Sequence, residues 1–402
     1  MASPLITVAE ARALVLARVV PLPPEDVAIE AALDRVLDAD VRAGGDVPPF
    51  ACSAMDGYAI IAGPAGRELA VIGESRAGAP AEQRVGDGQA IRISTGAAIP
   101  AGATAVIPQE QVTVHEDGHI ETGAVIDEGQ HVRGPGEDMA AGVTVLRAGI
   151  RLGPVQLGAA VAAGAGSLSV ARAPRVAVLA TGDELKPAGE PLGPGEIHNS
   201  NAPMLSALAT HAGAQVARPR QLGDERHATR TGIEAALESS EVVIISGGVS
   251  VGPHDHVKPA LAELGVTEVF WSVALQPGKP TWFGTIGEER LVFGLPGNPV
   301  SAVVTFSLFV LPALNALQGR REERRLEAEA LLGVEVRRNP RREQAIRVVL
   351  KRGPGPTTAL PNGAQGSHIL TSLLGADALA MIPAGEGTVA AGSPVALQEL
   401  AC

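Results

Sequence analysis

The spacing of apolar positions changes along this chain, and each change predicts a different kind of element. Thr7 followed by Glu10 reads as a capping box that opens a helix. Ile29, Leu33, Val36 and Leu37 fall on one helical face after the breaks at Pro21, Pro23 and Pro24, so residues 1 to about 44 read as helices. From 45 to 142 the apolar runs become short and alternating, divided by glycine. Among them VTVHEDGHIET carries Asp117-Gly118, a hairpin signal, and the whole stretch reads as an all-β module. Residues 143–173 return to a helix-like texture, VQLGAAVAAGAG, expected to pack back on 1–44 and complete one discontinuous domain.

From Pro174 strand and helix patterns alternate: RVAVLA, then NAPMLSALATHAG with Asn201 as the expected cap, QVARPRQL, a helix after Asp224, and EVVIIS. This predicts a parallel, three-layer α/β domain over 174–323. Val300 to Leu317 is apolar enough to raise the membrane question, but Ser301, Thr305, Ser307, Pro312 and Asn315 interrupt it, which favours a buried core helix. Beyond the charged connector Arg320 to Arg325, the runs VEVRR, AIRVVLKR, ALAMIP and PVALQEL predict a small C-terminal β domain over 324–402. The fold class is therefore multidomain α/β plus β.

Composition sharpens this picture. The chain has 402 residues, enough for several domains, yet only 2% are aromatic, so its cores must be built from Ala, Val, Leu and Ile. A formal net charge of -12 argues against a nucleic-acid surface, which needs clustered Lys and Arg. The two cysteines, Cys52 and Cys402, form no Cys-x-x-Cys pair, and the N-terminus lacks the basic-then-apolar form of a signal peptide, so a reducing cytoplasm is expected.

Ligands of open α/β sheets bind beyond the carboxyl ends of the strands. Three loops leaving those ends carry chemistry. RVAVLA runs into TGDE, with Thr181, Gly182, Asp183 and Glu184; EVVIIS runs into GGVSVGPHD, with Ser246, Gly247, Gly248, Ser250 and Asp255. LVFGL runs into PGNPVS, with Pro296, Gly297, Asn298 as expected N-cap, Pro299 at the first helical position and Ser301 in the first turn. PGKP adds Lys279 nearby. Two like charges 4 Å apart repel by about 4 kcal/mol at an effective dielectric near 20, and a divalent cation reverses that sign. Glycine loops, carboxylates and one lysine thus point to a Mg²⁺-assisted site for a phosphorylated or oxyanionic ligand. No Walker A pattern and no GxGxxG opening a helix is present, which disfavours a P-loop or dinucleotide fold. His254 and His256 lie two apart and make a poor metal pair, and Cys52 reads as a small buried residue.

Seven segments taken in order, PPFACSAMDGYA, AIRISTGAAIPAGATAVIPQE, HVRGPGEDMAAG, VAVLATGDEL, SGGVSVGPHD, PGKPTWFG and GLPGNPVS, resemble the molybdopterin molybdenumtransferases, the MoeA family related to the gephyrin E domain. The resemblance implies a four-domain subunit in an L-shaped homodimer, with the β module of one subunit facing the α/β cleft of the other. It implies conversion of adenylylated molybdopterin and molybdate to molybdenum cofactor and AMP, with Mg²⁺, in exchange with a molybdopterin adenylyltransferase and recipient molybdoenzymes. By motif match Asp56, Thr95, Asp138, Glu184 and Asp255 are the expected functional positions, Glu184 and Asp255 holding the cation. Arg347 and Ser367 fit the molybdate side, beside Lys279 and Ser301. The chain departs from the family at Thr104, where Asp is usual, at His198, where Tyr is common, and in QGSH at Gln365 to His368. The rival readings are the sister adenylyltransferase, which lacks the β module, and a gephyrin-like scaffold.

Overall fold

The computed structural model describes residues 5–223, 225–248, 256–287, 289–320 and 329–401. Helix Val8–Leu16 opens as its sequence predicts. The Thr7 hydroxyl accepts from the Glu10 backbone N–H at 3.1 Å, and the Glu10 carboxylate accepts from the Thr7 backbone N–H at 2.8 Å. Its buried face, Val8, Ala11 and Val15, packs into the α/β core, leaving the N-terminal unit to which the sequence pattern assigns it.

The second predicted helix does not form. Pro24–Ala28 is a strand paired antiparallel with Ser167–Ala171, and Ile29–Ala31 is a single 3₁₀ turn. Val36 and Leu37 bridge Arg151 and Val170 instead of joining a helix face, while Leu33 stays exposed. Long-range pairing overrides a spacing that four residues satisfied locally. Residues 24–43 nevertheless share one core with 144–170, where Ala32, Leu37, Val41 and Ala43 meet Leu146, Leu152, Ala160, Leu168 and Val170. Helix Pro154–Ala162 lies in the apolar run expected to be helical.

In the β module, six strands pair in the order Ala105–Pro108, Gly57–Ile60, Gln89–Ile93, Glu68–Ser75, His119–Thr122, Val112–Val114. The last two form the hairpin signalled by Asp117-Gly118: Gly118 has φ +85°, and Asp117 accepts from the His119 backbone N–H at 3.1 Å.

The α/β sheet orders Gln215–Val216, Arg175–Thr181, Val242–Ser246, Arg290–Leu295, Trp282–Ile286 and Thr267–Trp271. One strand, Trp282–Ile286, runs against its neighbours, so the sheet is mixed where the sequence predicts a parallel one. The cause is connection length. Only residues 287–289 separate it from Arg290–Leu295, too few for the crossover that a parallel pair needs. Alternate residues of the central strands enter opposite cores: Val176 and Val178 face helices Asn201–His211 and Pro299–Leu317, whereas Ala177 and Leu179 face Arg226–Ser239 and Val257–Glu263. Pro299–Leu317 is long and apolar enough to cross a membrane by composition, but 89% of it is buried inside the fold as a core helix, with a π-helical segment at Phe306–Val310.

In the C-terminal domain, Glu343–Lys351, Thr358–Pro361, Glu329–Leu332, Pro394–Glu399 and Ala378–Ile382 pair successively, and the last returns to the first, closing a ring. Several ties hold it to the α/β domain. Leu275–Gln276 pairs with Glu343 and Gln344, and Ala401 donates its backbone N–H to the Ser307 hydroxyl at 3.1 Å.

Candidate active site

The parallel register sets Ala180 beside Ser246 and Ser246 beside Leu295, so the TGDE, SGG and PGNP loops leave one edge of the sheet together. Their contact is close because glycine occupies the crossing points. A Cβ on Gly247 would lie 2.9 Å from the Thr181 hydroxyl oxygen and 3.0 Å from the Thr181 carbonyl oxygen; one on Gly248 would lie 2.8 Å from that hydroxyl. Both glycines have positive φ, +87° and +65°, which L side chains avoid. On the third loop, the Cβ position of Gly297 is 3.9 Å from the Gly247 Cα. The Gln221 amide fastens the first loop by donating to the carbonyls of Gly182, at 3.1 Å, and Leu185, at 2.8 Å.

Glu184 folds back over Gly182, where an added Cβ would lie 2.3 Å from its Oε2, and both Asp183 and Glu184 are exposed. Ser250 and Asp255 lie outside the described residues. Among the described residues no group of three or more His, Cys, Asp or Glu side chains is placed to hold a metal.

A second wall comes from the C-terminal domain. Asn298 occupies the N-cap position, but its side chain does not cap the helix; it donates to the Ser367 hydroxyl at 3.0 Å, and the Val300 N–H reaches the Ser367 carbonyl at 3.3 Å. Ser301, in the first turn, is buried. Behind the Ser367 turn, Arg347 is only 1% exposed. Its guanidinium donates to the Ser372 hydroxyl at 3.2 Å and to the carbonyls of Gly366 and Ala364 at 3.3 and 3.4 Å, with no carboxylate partner among the described residues. Burial pushes this guanidinium down to about 10. Arg347 and Gln365 line a cavity of about 290 Å³ between the barrel and Gln276-Pro277. Lys279 is exposed on the loop that follows, which is stiffened by Thr281 donating to the Gly278 carbonyl at 2.7 Å.

The β module gathers the other expected residues. Thr95 donates to Asp56 Oδ1 from its backbone N–H at 2.6 Å and its hydroxyl at 2.9 Å, and these bonds, the backbone one foremost, hold the Asp56 carboxyl below its ordinary range. The exposed Asp138 lies in a segment joined to the same region: its N–H donates to the Val47 carbonyl at 3.0 Å, and Val132–Arg133 pairs with Cys52–Ser53. Cys52 is buried and unpaired. Among the described residues no hydrogen bond or ion pair joins Asp56, Thr95 or Asp138 to the three α/β loops.

Two of the three departures from the family pattern, Thr104 and His198, fit their surroundings. Thr104 accepts from the Ala62 N–H at 2.9 Å, while His198 is exposed, with its Nδ1 3.2 Å from the Pro187 carbonyl. Sequence reasoning missed Gln221 and Ser372, which brace Gly182 and Arg347 and carry no local signal. It took Asn201 for a cap, whereas Asn199 accepts from the Ala202 N–H at 3.1 Å and the Asn201 amide reaches the cleft loops.

Comparison with known proteins agrees with this layout across the chain. Residues 6–164 match the MoeA N-terminal region (domain I and II), 177–316 match a probable molybdopterin binding domain, and 329–400 match the MoeA C-terminal region (domain IV). A molybdopterin molybdenumtransferase of Haemophilus influenzae is 34% identical, with 98% of each chain covered. One of Bacillus subtilis is also 34% identical, covering 90% of this chain and 86% of its own. The structure of a molybdopterin biosynthesis moeA protein from Pyrococcus horikoshii superposes with a TM-score of 0.82 at 31% identity, covering 98% of this chain and 100% of its own. The chain belongs to the MoeA family of molybdopterin molybdenumtransferases.

Proposed function

We propose that this chain inserts molybdenum from molybdate into adenylylated molybdopterin, releasing AMP and forming the molybdenum cofactor. The observation that carries this reading is the pairing of two unlike walls at one helix N-terminus: bare-backbone loops with hydroxyls on one side, and on the other, behind Ser367, a buried guanidinium with no carboxylate partner among the described residues. The first wall suits a phosphoanhydride approached closely by backbone and by the Thr181 and Ser246 hydroxyls. The second suits a compact dianion. Arg347 stays protonated at neutral pH, since its lowered value is still about 10, Ser301 adds a hydroxyl in the first turn of the same helix, and Lys279 would add a cation.

Mg²⁺ belongs to this proposal. Glu184 and Asp183 are exposed carboxylates on the loop that also carries the Thr181 hydroxyl, hard-oxygen groups of the kind Mg²⁺ takes as ligands. Glu184 together with Asp255 would hold the ion. Bound there, it would offset the charge of the phosphoanhydride being cleaved.

We assign Asp56, Thr95 and Asp138 to the cleft of a second copy of the chain. This is supported by Asp56 being exposed and kept ionised by Thr95, while among the described residues no bond draws it toward the three loops. A cytoplasmic location is supported by the buried, unpaired Cys52.

The test is a defined assay with adenylylated molybdopterin, Mg²⁺ and molybdate, following AMP and cofactor together. The expected result is both products, each dependent on molybdate. AMP without cofactor would exclude metal insertion, and ATP consumption without molybdate would identify the sister adenylylation.

A further inference from the structure

Asn201 stands at the first position of helix Asn201–His211, one residue past the N-cap Ser200, where an Asn side chain would serve the helix itself. Here it does not. Its amide nitrogen donates to the Ser246 hydroxyl at 2.8 Å and to the Gly297 carbonyl at 2.7 Å, joining residues 45 and 96 positions away. Those two partners lie on two of the three cleft loops.

The amide orientation follows from chemistry. Gly297 contributes a carbonyl oxygen, which only accepts, so the atom 2.7 Å from it is the nitrogen. The same nitrogen then gives its second hydrogen to Ser246 Oγ. The consequence falls on Ser246, which is 3% exposed and makes no other side-chain hydrogen bond among the described residues. With Oγ occupied as an acceptor from Asn201, its own O–H is turned elsewhere and remains an unspent donor. The arrangement has a cost that packing alone does not explain, because Asn201 Oδ1 is buried without a partner among the described residues. A buried amide carbonyl left unsatisfied is rare.

We propose that Asn201 is a positioning residue for the transferase reaction: by donating to both Ser246 and Gly297 it fixes the PGNP turn and commits the Ser246 hydroxyl to donate to the substrate. The group it would meet is a pure acceptor, such as a phosphoryl oxygen of adenylylated molybdopterin. The assignment rests on the function proposed above and adds to it a direction for one hydrogen bond. An aspartate at 201 is nearly isosteric yet has no hydrogen to give. It would accept from the Ser246 O–H, reversing that bond, and would set an oxygen against the Gly297 carbonyl.

The experiment measures binding of adenylylated molybdopterin by calorimetry and turnover kinetics for the wild type, Asn201→Asp, Ser246→Ala and the double variant, with melting temperatures alongside. Each single variant is expected to raise Kd and KM about tenfold, the loss of one hydrogen bond to a charged group, with a smaller change in kcat. The double variant is expected to match the worse single variant rather than their product, because both changes remove the same donor. Wild-type binding with equal binding by Ser246→Ala would overturn the assignment, as would multiplicative losses in the double variant. An absence of binding by the wild type would overturn the proposed function and the assignment with it. Ser246→Ala keeps the question answerable if Asn201→Asp fails to fold.

Discussion

Thr95 grips a single oxygen of Asp56 twice, through its N–H at 2.6 Å and its hydroxyl at 2.9 Å, although 39 residues separate the two in sequence. Both donors favour the ionised carboxylate and hold Asp56 below the ordinary carboxyl range. Because the value is lowered, Asp56 remains charged to a lower pH than a free carboxyl, and its function is lost only as pH falls through that depressed value. Thr95→Val removes the hydroxyl donor and keeps the N–H. The Asp56 titration, followed by carboxyl carbon NMR, should move upward, and the acid limb of the AMP-release profile should move with it. A titration unchanged by the substitution would remove the hydroxyl bond from the account. Asp56→Asn, which deletes the charge, is expected to lower turnover by roughly 10² or more if Asp56 handles a proton.

Gly247 makes a second prediction through its backbone. At φ +87° with the Thr181 carbonyl 3.0 Å from its Cβ position, no side-chain rotation can relieve an added methyl. Gly247→Ala is expected to cost about 1–2 kcal/mol from the left-handed conformation, with further displacement of the TGDE loop. Gly45 is the control, since its Cβ position meets nothing within 4 Å and its φ is not in the left-handed range. Urea unfolding and substrate KM of the two alanine variants decide the matter. Equal behaviour would show that the loop contact tolerates side chains.

The contrast between Gly247 and Ile29 shows what could be read before the fold was known. A strand followed at once by two glycines limits the backbone to a few conformations, and the approach to Thr181 is the outcome of that local limit. The Asp117-Gly118 hairpin and the Thr7–Glu10 box are local in the same sense. Ile29, Leu33, Val36 and Leu37 had an equally clear local pattern, yet strand 24–28 met a partner about 140 residues later and the helix lost. The reversed strand Trp282–Ile286 was hidden because only connection length distinguishes it. Of the site, Asp56, Thr95, Arg347 and Ser367 came from family likeness, and geometry then set Thr95 on Asp56 and Asn298 on Ser367. Asn201 looked like a cap because cap and brace use the same amide.

Arg347 carries a third prediction, about molybdate. A buried guanidinium lowered to about 10 by desolvation gains when an anion arrives, so anion binding should stabilise the fold. At a hundredfold excess over Kd, molybdate is expected to add about 2.7 kcal/mol to wild-type stability, read as a rise in melting temperature at constant ionic strength. Arg347→Met should abolish that rise. It should also lower stability in the absence of molybdate, by about 1–3 kcal/mol, because the Gly366 carbonyl and the Ser372 hydroxyl lose their donor. A molybdate-dependent rise that survives in Arg347→Met would move the anion site elsewhere.

Glu241 separates stability from activity, because it sits at the amino end of the sheet, opposite the cleft. Its carboxylate accepts from the Arg175 N–H at 2.7 Å and Nε at 2.9 Å and from Arg172 at 3.3 Å. Burial alone would raise its pKa, but the bonds from Arg175 and Arg172 outweigh burial and the net shift is downward. A carboxyl lowered in the folded state contributes stability in full above its unfolded value, about 4.3, and loses it as pH falls through the folded value. Glu241→Gln removes that contribution at neutral pH. The loss for a fully buried pair would be about 3–5 kcal/mol, but the Arg175 side chain is 53% exposed, so about 1–2 kcal/mol is expected. Urea unfolding at pH 7 should show the variant weaker by that amount, and the gap should narrow progressively as pH falls below the unfolded value of about 4.3. KM for adenylylated molybdopterin should not change, since the carboxylate lies at the far end of strands whose carboxyl ends carry the site. A gap independent of pH would mean that the neutral amide is misfitted among the arginines, and that the charge of Glu241 is not what holds the two strand starts together.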